Sequence, residues 1–495
     1  MRIRASLLPS LIGLATAGLT MAGCPGDDAS GDGTESASGS TTNGMTSQGP
    51  GPGTGDTTME VPTGDGTAAT TDGPTSDSGD STGTTTGEPM ECPYEEIEGT
   101  PSVTLELVGD GFDRPMLAIG HPTEPDRLFV VEQGGNVRIL EPGETSAPGD
   151  AFLTVTVAGA GNNNIGPEYG LLGFAFHPDF PDDPRVYVNY NPPAPGGGTD
   201  RTIVSEFTVD AGNPDQVDPS SERIILELEQ PANNHNGGMI DFGPDGCLYI
   251  STGDGGGGGD TFNTGRDEQM LLAKMLRIGV EPDGEMDNPE ACPGCGQLGP
   301  FDYTIPDDNP FVGDPTFAPE IYAWGLRNAW RYARDSANGT IYAGDVGQQQ
   351  WEEVTLVEAG ADLGWSDMEG FHCFGGGCDD SAGPNEVNAD GMTAPLAEYG
   401  HNGGRCSITG LSVYHSCEVP AWDGVYFYSD FCSGEFWGLV WDGATVTDLG
   451  VVLDQNELPL GNGWNAYGDV FVTTVDAILG GPIFDGKVYR IAPGV

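Results

Sequence analysis

Asp245-Gly246-Cys247-Leu248-Tyr249-Ile250 reads as a tight turn running straight into an apolar strand. Aspartate and glycine supply the local hydrogen bonds and the φ > 0 conformations of a hairpin turn. Leucine, tyrosine and isoleucine suit a pleated, half-buried surface. The same order of turn and strand recurs at Asp126–Val131, Pro184–Asn189, Asn338–Ala343, Asp423–Tyr428 and Tyr467–Val472. Further strands follow the first, fourth, fifth and sixth of these segments in chain order, at Asn136–Leu140, Glu352–Leu356, Glu435–Val440 and Gly486–Ile491. Six copies at intervals of about 45 to 95 residues mark units that cannot bury their apolar faces alone. The expectation is an all-β chain, a six-bladed β-propeller of four-stranded antiparallel sheets, with Ser102–Val108 closing the ring against the last blade. A two-sheet sandwich is the competing architecture, and a short helix is expected around Asp267–Met275.

Around this repeat lie segments of different character. Residues 1–23 carry Arg2 and Arg4, an apolar run Leu7–Leu19 and small residues before Cys24, the pattern of a signal peptide. Thr20-Met21-Ala22-Gly23-Cys24 resembles a bacterial lipobox, which makes Cys24 the expected lipidation site; plain secretion is the alternative. Residues 24–91 are Gly, Ser, Thr, Asp and Pro with few large apolar side chains, so they form an expected disordered linker. The propeller then occupies residues 92–495. The expected setting is the bacterial cell envelope, anchored by lipid and facing the periplasm or exterior.

The chain has 76 acidic against 17 basic residues and a formal charge of −59. Nucleic-acid binding needs clustered Lys and Arg, so nucleic acid is excluded as a partner at this stage. Ten cysteines suit an oxidising compartment. Spacing suggests disulfides Cys292–Cys295, Cys373–Cys378, Cys406–Cys432 and Cys92–Cys417, with Cys247 left as a buried free thiol. Zinc at Cys292 and Cys295 competes, but no second ligand pair follows at zinc-like spacing.

In a propeller, equivalent loops of successive blades converge at one end of the channel. The informative ones are Gly166–Gly170, Asn233–Gly238, Gly253–Asp260, Trp324–Asn328, Asp345–Trp351 and His401–Thr409. They are rich in His, Asn, Gln, Arg and Gly. His235, among amides and glycines at a hairpin mouth, is the candidate base. The loop Asp254–Asp260 reads as a flexible glycine loop or as a calcium site.

These loops carry a family resemblance. Glu168-Tyr169-Gly170-Leu171-Leu172-Gly173-Phe174-Ala175-Phe176-His177-Pro178-Asp179-Phe180, His235-Asn236-Gly237-Gly238, Tyr322–Asn328, Gly344–Glu353, Gly364-Trp365 and Gly486–Ile491 resemble the glucose/sorbosone dehydrogenase family. Members are soluble quinoproteins with pyrroloquinoline quinone (PQQ) on a six-bladed propeller. The segment Cys373–Cys432 looks more like the branch that also holds hedgehog-interacting-protein-like domains. The resemblance implies oxidation of an aldose or related sugar to the lactone, with His235 as base and Arg327 polarising the quinone. Asn328 would fix that loop, while Glu168 and Asn234 would flank substrate and base. Backbone carbonyls of Gly347 and Gln348 would hold Ca²⁺ against the cofactor. The electron acceptor is left unnamed.

One departure bears on the cofactor. The lysine and arginine pair that hold the PQQ carboxylates in the best-known members fall near Cys432 and near Tyr467 and Gly468 here. After Arg405 the only basic residues are Lys487 and Arg490. Arg405 is therefore the candidate replacement. Two other readings stand beside the dehydrogenase: a non-catalytic propeller that binds protein or glycan, and a metal-dependent lactonase.

Overall fold

The computed structural model describes residues 91–158, 168–194, 200–281, 302–475 and 486–494. The expected signal peptide, the lipidated Cys24, nearly all of the linker and the pair Cys292–Cys295 lie outside the described residues. Nearly all regular structure is β. Among the described residues a 3₁₀ turn, Pro420–Trp422, breaks the pattern. No helix among the described residues is long and apolar enough to cross a membrane. The helix expected around Asp267–Met275 is absent. Turns occupy that segment until the strand Lys274–Ile278 begins, because β-pairing with Leu248–Ser251 and Ile321–Trp324 claims its backbone.

The sheets build on the repeated hairpins. Three are four-stranded, running from Ile240–Phe242 to Ile321–Trp324, from Ala329–Arg334 to Ala397–Gly400, and from Ile408–Val413 to Val446–Asp454. A fourth orders Leu171–Phe176, Arg185–Tyr190, Asp200–Asp210 and Arg223–Gln230, with the short Asn213–Val217 added beside Asp200–Asp210. An eight-stranded sheet divides at a parallel pair, Pro115–Gly120 with Leu458–Trp464, into two antiparallel four-strand runs. One of these runs ends with Val103–Phe112 paired antiparallel to Gly486–Pro493, so the first described strand completes the last run.

The first strands of neighbouring runs pack closely, and glycine permits it. A Cβ at Gly463 would sit 2.0 Å from the Ala118 carbonyl, and one at Gly173 would sit 2.3 Å from that of Gly238. Between the sheets the core is aromatic. Phe129, Phe152, Phe174 and Phe176 meet edge to face at 4.9–6.4 Å, while Tyr342 stacks on Tyr426 at 4.8 Å.

Three of the four expected disulfides are present: Cys92–Cys417, Cys373–Cys378 and Cys406–Cys432. Cys247 is free as expected, but it is half-buried and lies just before the strand Leu248–Ser251 rather than within it. Burial pushes its thiol up to about 11, which keeps it protonated and poorly nucleophilic.

Candidate functional site

His235 sits between two hairpins with φ of 54°, a left-handed conformation uncommon for a side chain of its size. Gly253 across from it makes this possible, since a Cβ there would lie 2.0 Å from the His235 carbonyl. The ring is buried, and both of its nitrogens are engaged. Nδ1 lies 2.6 Å from Asp254 Oδ1, and Arg327 Nη2 lies 3.0 Å from Nε2. A guanidinium can only donate, so Nε2 is the acceptor and Nδ1–H points at Asp254. That is the tautomer a base needs, with its free electron pair on Nε2.

Asp254 has no solvent exposure. Its Oδ1 also accepts from the Gly256 amide at 3.0 Å, and its Oδ2 from Trp365 Nε1 at 3.0 Å. Three donors thus hold one carboxylate in place. Trp365 in turn lies 5.5 Å beneath the Arg327 guanidinium. Arg327 completes its donor set on the Val346 carbonyl at 2.8 Å and on Gln348 Oε1 at 3.3 Å.

A second layer fixes the backbone. Asp345 accepts the amides of Arg327 and Asn328 at 2.8 and 2.6 Å. Burial pushes its carboxyl up to about 6. Asn328 Oδ1 takes the Gly237 amide at 3.0 Å, and its Nδ2 reaches Glu168 Oε2 at 3.3 Å. That same glutamate oxygen accepts from the Asn236 amide at 3.1 Å.

The structure therefore brings His235, Arg327, Asn328 and Glu168 together with the loop of Gly347 and Gln348. Asn234 is a correction. Its Oδ1 accepts from the Gly257 amide at 3.4 Å, so it braces the glycine loop while Asp254 orients the imidazole. The loop Asp254–Asp260 is correspondingly not a free glycine loop. Both terminal aspartates are buried, and Asp260 accepts from the amides of Thr264 and Gly265. Arg405 lies apart from this cluster. It forms a two-pronged pair with Glu435 at 2.6 and 2.8 Å and lies over Trp437, with no contact to His235 or Arg327.

Glu369 went unnoticed in the sequence. Its Oε1 accepts the backbone amides of Gln348, Gln349, Gln350 and Trp351 at 2.7–3.2 Å. With those N–H groups turned inward, the carbonyls of Gly347 and Gln348 make no hydrogen bond among the described residues. Gly347 is obligatory here, since a Cβ would sit 1.6 Å from the Trp351 carbonyl. Hard, uncommitted carbonyl oxygens suit Ca²⁺.

The residues fit PQQ at one end. Arg327 and the Gly347–Gln348 carbonyls offer a cation and metal ligands beside His235. The carboxylate end is not matched among the described residues. Arg405 is paired with Glu435, Lys487 with Glu457, and Arg490 with Glu106 and Glu418. A tricarboxylate held without cations binds poorly.

Comparison with known proteins adds the following. The Glucose / Sorbosone dehydrogenase family model matches residues 115–294 and 301–457. The HIPL1 protein of Arabidopsis thaliana is 30% identical over 404 residues, covering 71% of this chain and 56% of the relative. The mouse Hedgehog-interacting protein is 32% identical over 252 residues, 49% of this chain and 34% of its own length. The chain thus spans little more than half of HIPL1 and about a third of the mouse protein. The apo soluble aldose sugar dehydrogenase of Escherichia coli superposes with a TM-score of 0.60 at 20% identity, over 79% of this chain and all of that one, which shows a shared fold.

Proposed function

Because this chain belongs to the glucose/sorbosone dehydrogenase family, we propose that it oxidises an aldose or related sugar to the lactone, with His235 as general base. The Asp254–His235–Arg327 line carries this reading, since it leaves the electron pair of a neutral imidazole on Nε2. In the same reading the six four-strand runs stand as six blades around a channel, and Cys24 carries the lipid that holds the domain at the bacterial cell envelope.

When bound, PQQ with Ca²⁺ supplies the two-electron acceptor for the anomeric hydride. The chain's own residues do the rest. A sugar hydroxyl at Nε2 replaces the Arg327 N–H there, and His235 takes its proton. Displaced from Nε2 by that hydroxyl, the Arg327 guanidinium is free to donate towards negative charge developing beside it, and a protonated Nε2 no longer accepts from it. Asp254 stabilises the imidazolium through Nδ1–H. Glu168 and Asn328 hold the backbone of Asn236 and Gly237, which keeps the ring in place.

Reconstitution with PQQ and Ca²⁺ tests this. Sugar-dependent dye reduction in the wild type, lost in His235→Ala, is expected. No dye reduction across a broad panel of aldoses would sink the reading. The unmatched carboxylate end favours a second one, a propeller that binds a protein or glycan without turnover. Under that reading PQQ leaves the spectrum and thermal stability of the protein unchanged.

A further inference from the structure

Lys274 has no solvent exposure, and the reaction above does not use it. It opens the strand Lys274–Ile278, at the end of the run of turns that carries Asp254. Its Nζ donates to the backbone carbonyls of Thr264 and Leu272, both at 2.8 Å. Among the described residues it forms no ion pair with a carboxylate. Burial pushes its pKa down to about 7, outweighing the attraction of Asp267, Asp260 and Asp362 through space, while Arg266 repels it. Burying an amine is costly unless its protons are bonded, and here the bonds go to backbone alone. Two donors serve two acceptors, so the ammonium and the neutral amine hold the same two carbonyls. What Lys274 fixes is therefore the path of the chain between Asp254 and itself.

That path leads to the base. Thr264 Oγ1 donates to the Asp254 backbone carbonyl at 2.6 Å, and the Thr264 amide donates to Asp260 Oδ1 at 2.8 Å. Lys274 holds the carbonyl of the same threonine, so all three polar groups of Thr264 are engaged. At the other end, the Ala273 amide donates to the Gly253 carbonyl at 2.7 Å. Ala273 has φ of 63°, which an alanine rarely adopts. The Leu272 carbonyl beside it is the second one that Lys274 holds. Between Asp254 and Ala273 there is neither helix nor strand to keep the backbone in place. Side-chain bonds do so instead.

We propose that Lys274 is a positioning residue for the base: through Thr264 it fixes the backbone of Asp254, and Asp254 holds the Nδ1–H of His235. The effect on turnover rests on the dehydrogenase reading, whereas the state of the His235–Asp254 bond is readable without any reaction.

Lys274→Met keeps most of the aliphatic stem and removes the donor. In the full chain reconstituted with PQQ and Ca²⁺, kcat for an oxidised aldose is expected to fall about 10-fold with KM within about two-fold, the scale of a base displaced by less than about 1 Å. Without cofactor, proton NMR with histidine-selective ¹⁵N labelling reads the same bond. The His235 Nδ1–H, identified by its loss in His235→Gln, is expected far downfield in the wild type and shifted upfield in Lys274→Met as the bond to Asp254 lengthens. Thr264→Val tests the middle of the link should Lys274→Met not fold; it removes the hydroxyl on Asp254 but keeps the carbonyl. The same upfield shift is expected there, with Thr264→Ser restoring the wild-type resonance. A folded Lys274→Met or Thr264→Val with that resonance in place overturns the proposal, even if kcat falls, since the residue is then structural only. Absence of the downfield resonance from the wild type overturns it as well. If the wild type oxidises no aldose, the dehydrogenase reading fails and the NMR comparison alone decides the role of Lys274.

Discussion

Asp254 shows how much one buried carboxylate decides. All three of its bonds are accepted ones, from His235 Nδ1–H, the Gly256 amide and Trp365 Nε1–H. An amide in its place must turn its NH₂ towards one of these donors, whichever way it is flipped. If it faces His235, the imidazole proton moves to Nε2 and the base is lost. Asp254→Asn is therefore expected to lower kcat about 10- to 100-fold, as loss of an orienting partner does, with sugar KM within about two-fold. Steady-state kinetics on the reconstituted protein checks this. An unchanged kcat would mean that Asp254 is structural only. His235 and Arg327 were legible in the sequence through the family resemblance. Asp254 was not, because it lies in a glycine-rich loop whose composition reads as a turn and says nothing of what it faces.

Two elements carry predictions of their own. The loop 347–351 owes its shape to Glu369, a carboxylate from a different hairpin. Glu369→Ala leaves inward-facing amides without a partner, at about 1–3 kcal/mol for a buried donor left unmade. A lower denaturant midpoint with unchanged slope is expected, together with a weaker Ca²⁺ response. His415 links two neighbouring runs, its Nε2 2.8 Å from Asp335 and its Nδ1 2.7 Å from Asp423. Hydrogen bonding to Asp335, opposed by partial burial, raises its pKa to about 9. A folded-state pKa above the unfolded value means stability that is complete below about pH 6.5 and lost as pH rises towards 9. Because one of its two partners, Asp423, is largely exposed, the contribution is discounted for solvent screening to about 1 kcal/mol. Thermal melts from pH 6 to 9.5 are expected to show this decline in the wild type and to lack it in His415→Gln.

Over the whole molecule, closure depends on joining residues far apart in the chain. Val103–Phe112 pairs with Gly486–Pro493, and Cys92 bonds to Cys417 across 325 residues. A crosslink over so long a loop restricts the unfolded chain strongly, for about 2–5 kcal/mol. The double variant Cys92→Ser, Cys417→Ser is expected to lose that much in denaturant unfolding while keeping its sheet signal in far-UV circular dichroism. Loss of the sheet signal itself would show that the disulfide is needed for the fold and not merely for its stability.

By itself the sequence determined the β architecture, because turn chemistry and apolar strands are local properties repeated along the chain. It also determined the glycines where backbones meet and the pairing of Cys373 with its near neighbour Cys378. Only the tertiary structure decided what the charged groups do. Arg405 was free to serve a cofactor until Glu435, thirty residues on, was found to hold it. Asn234 was expected at the imidazole, and Asp254 stands there instead. A cleft between Trp351 and Glu369 is likewise assembled from residues that lie far apart in the chain, Gln349 and Trp351 on one hairpin and Glu369 and His372 on another. Strand formation needs only neighbours in sequence, whereas a charge is claimed by whichever partner the folded chain brings within about 3 Å.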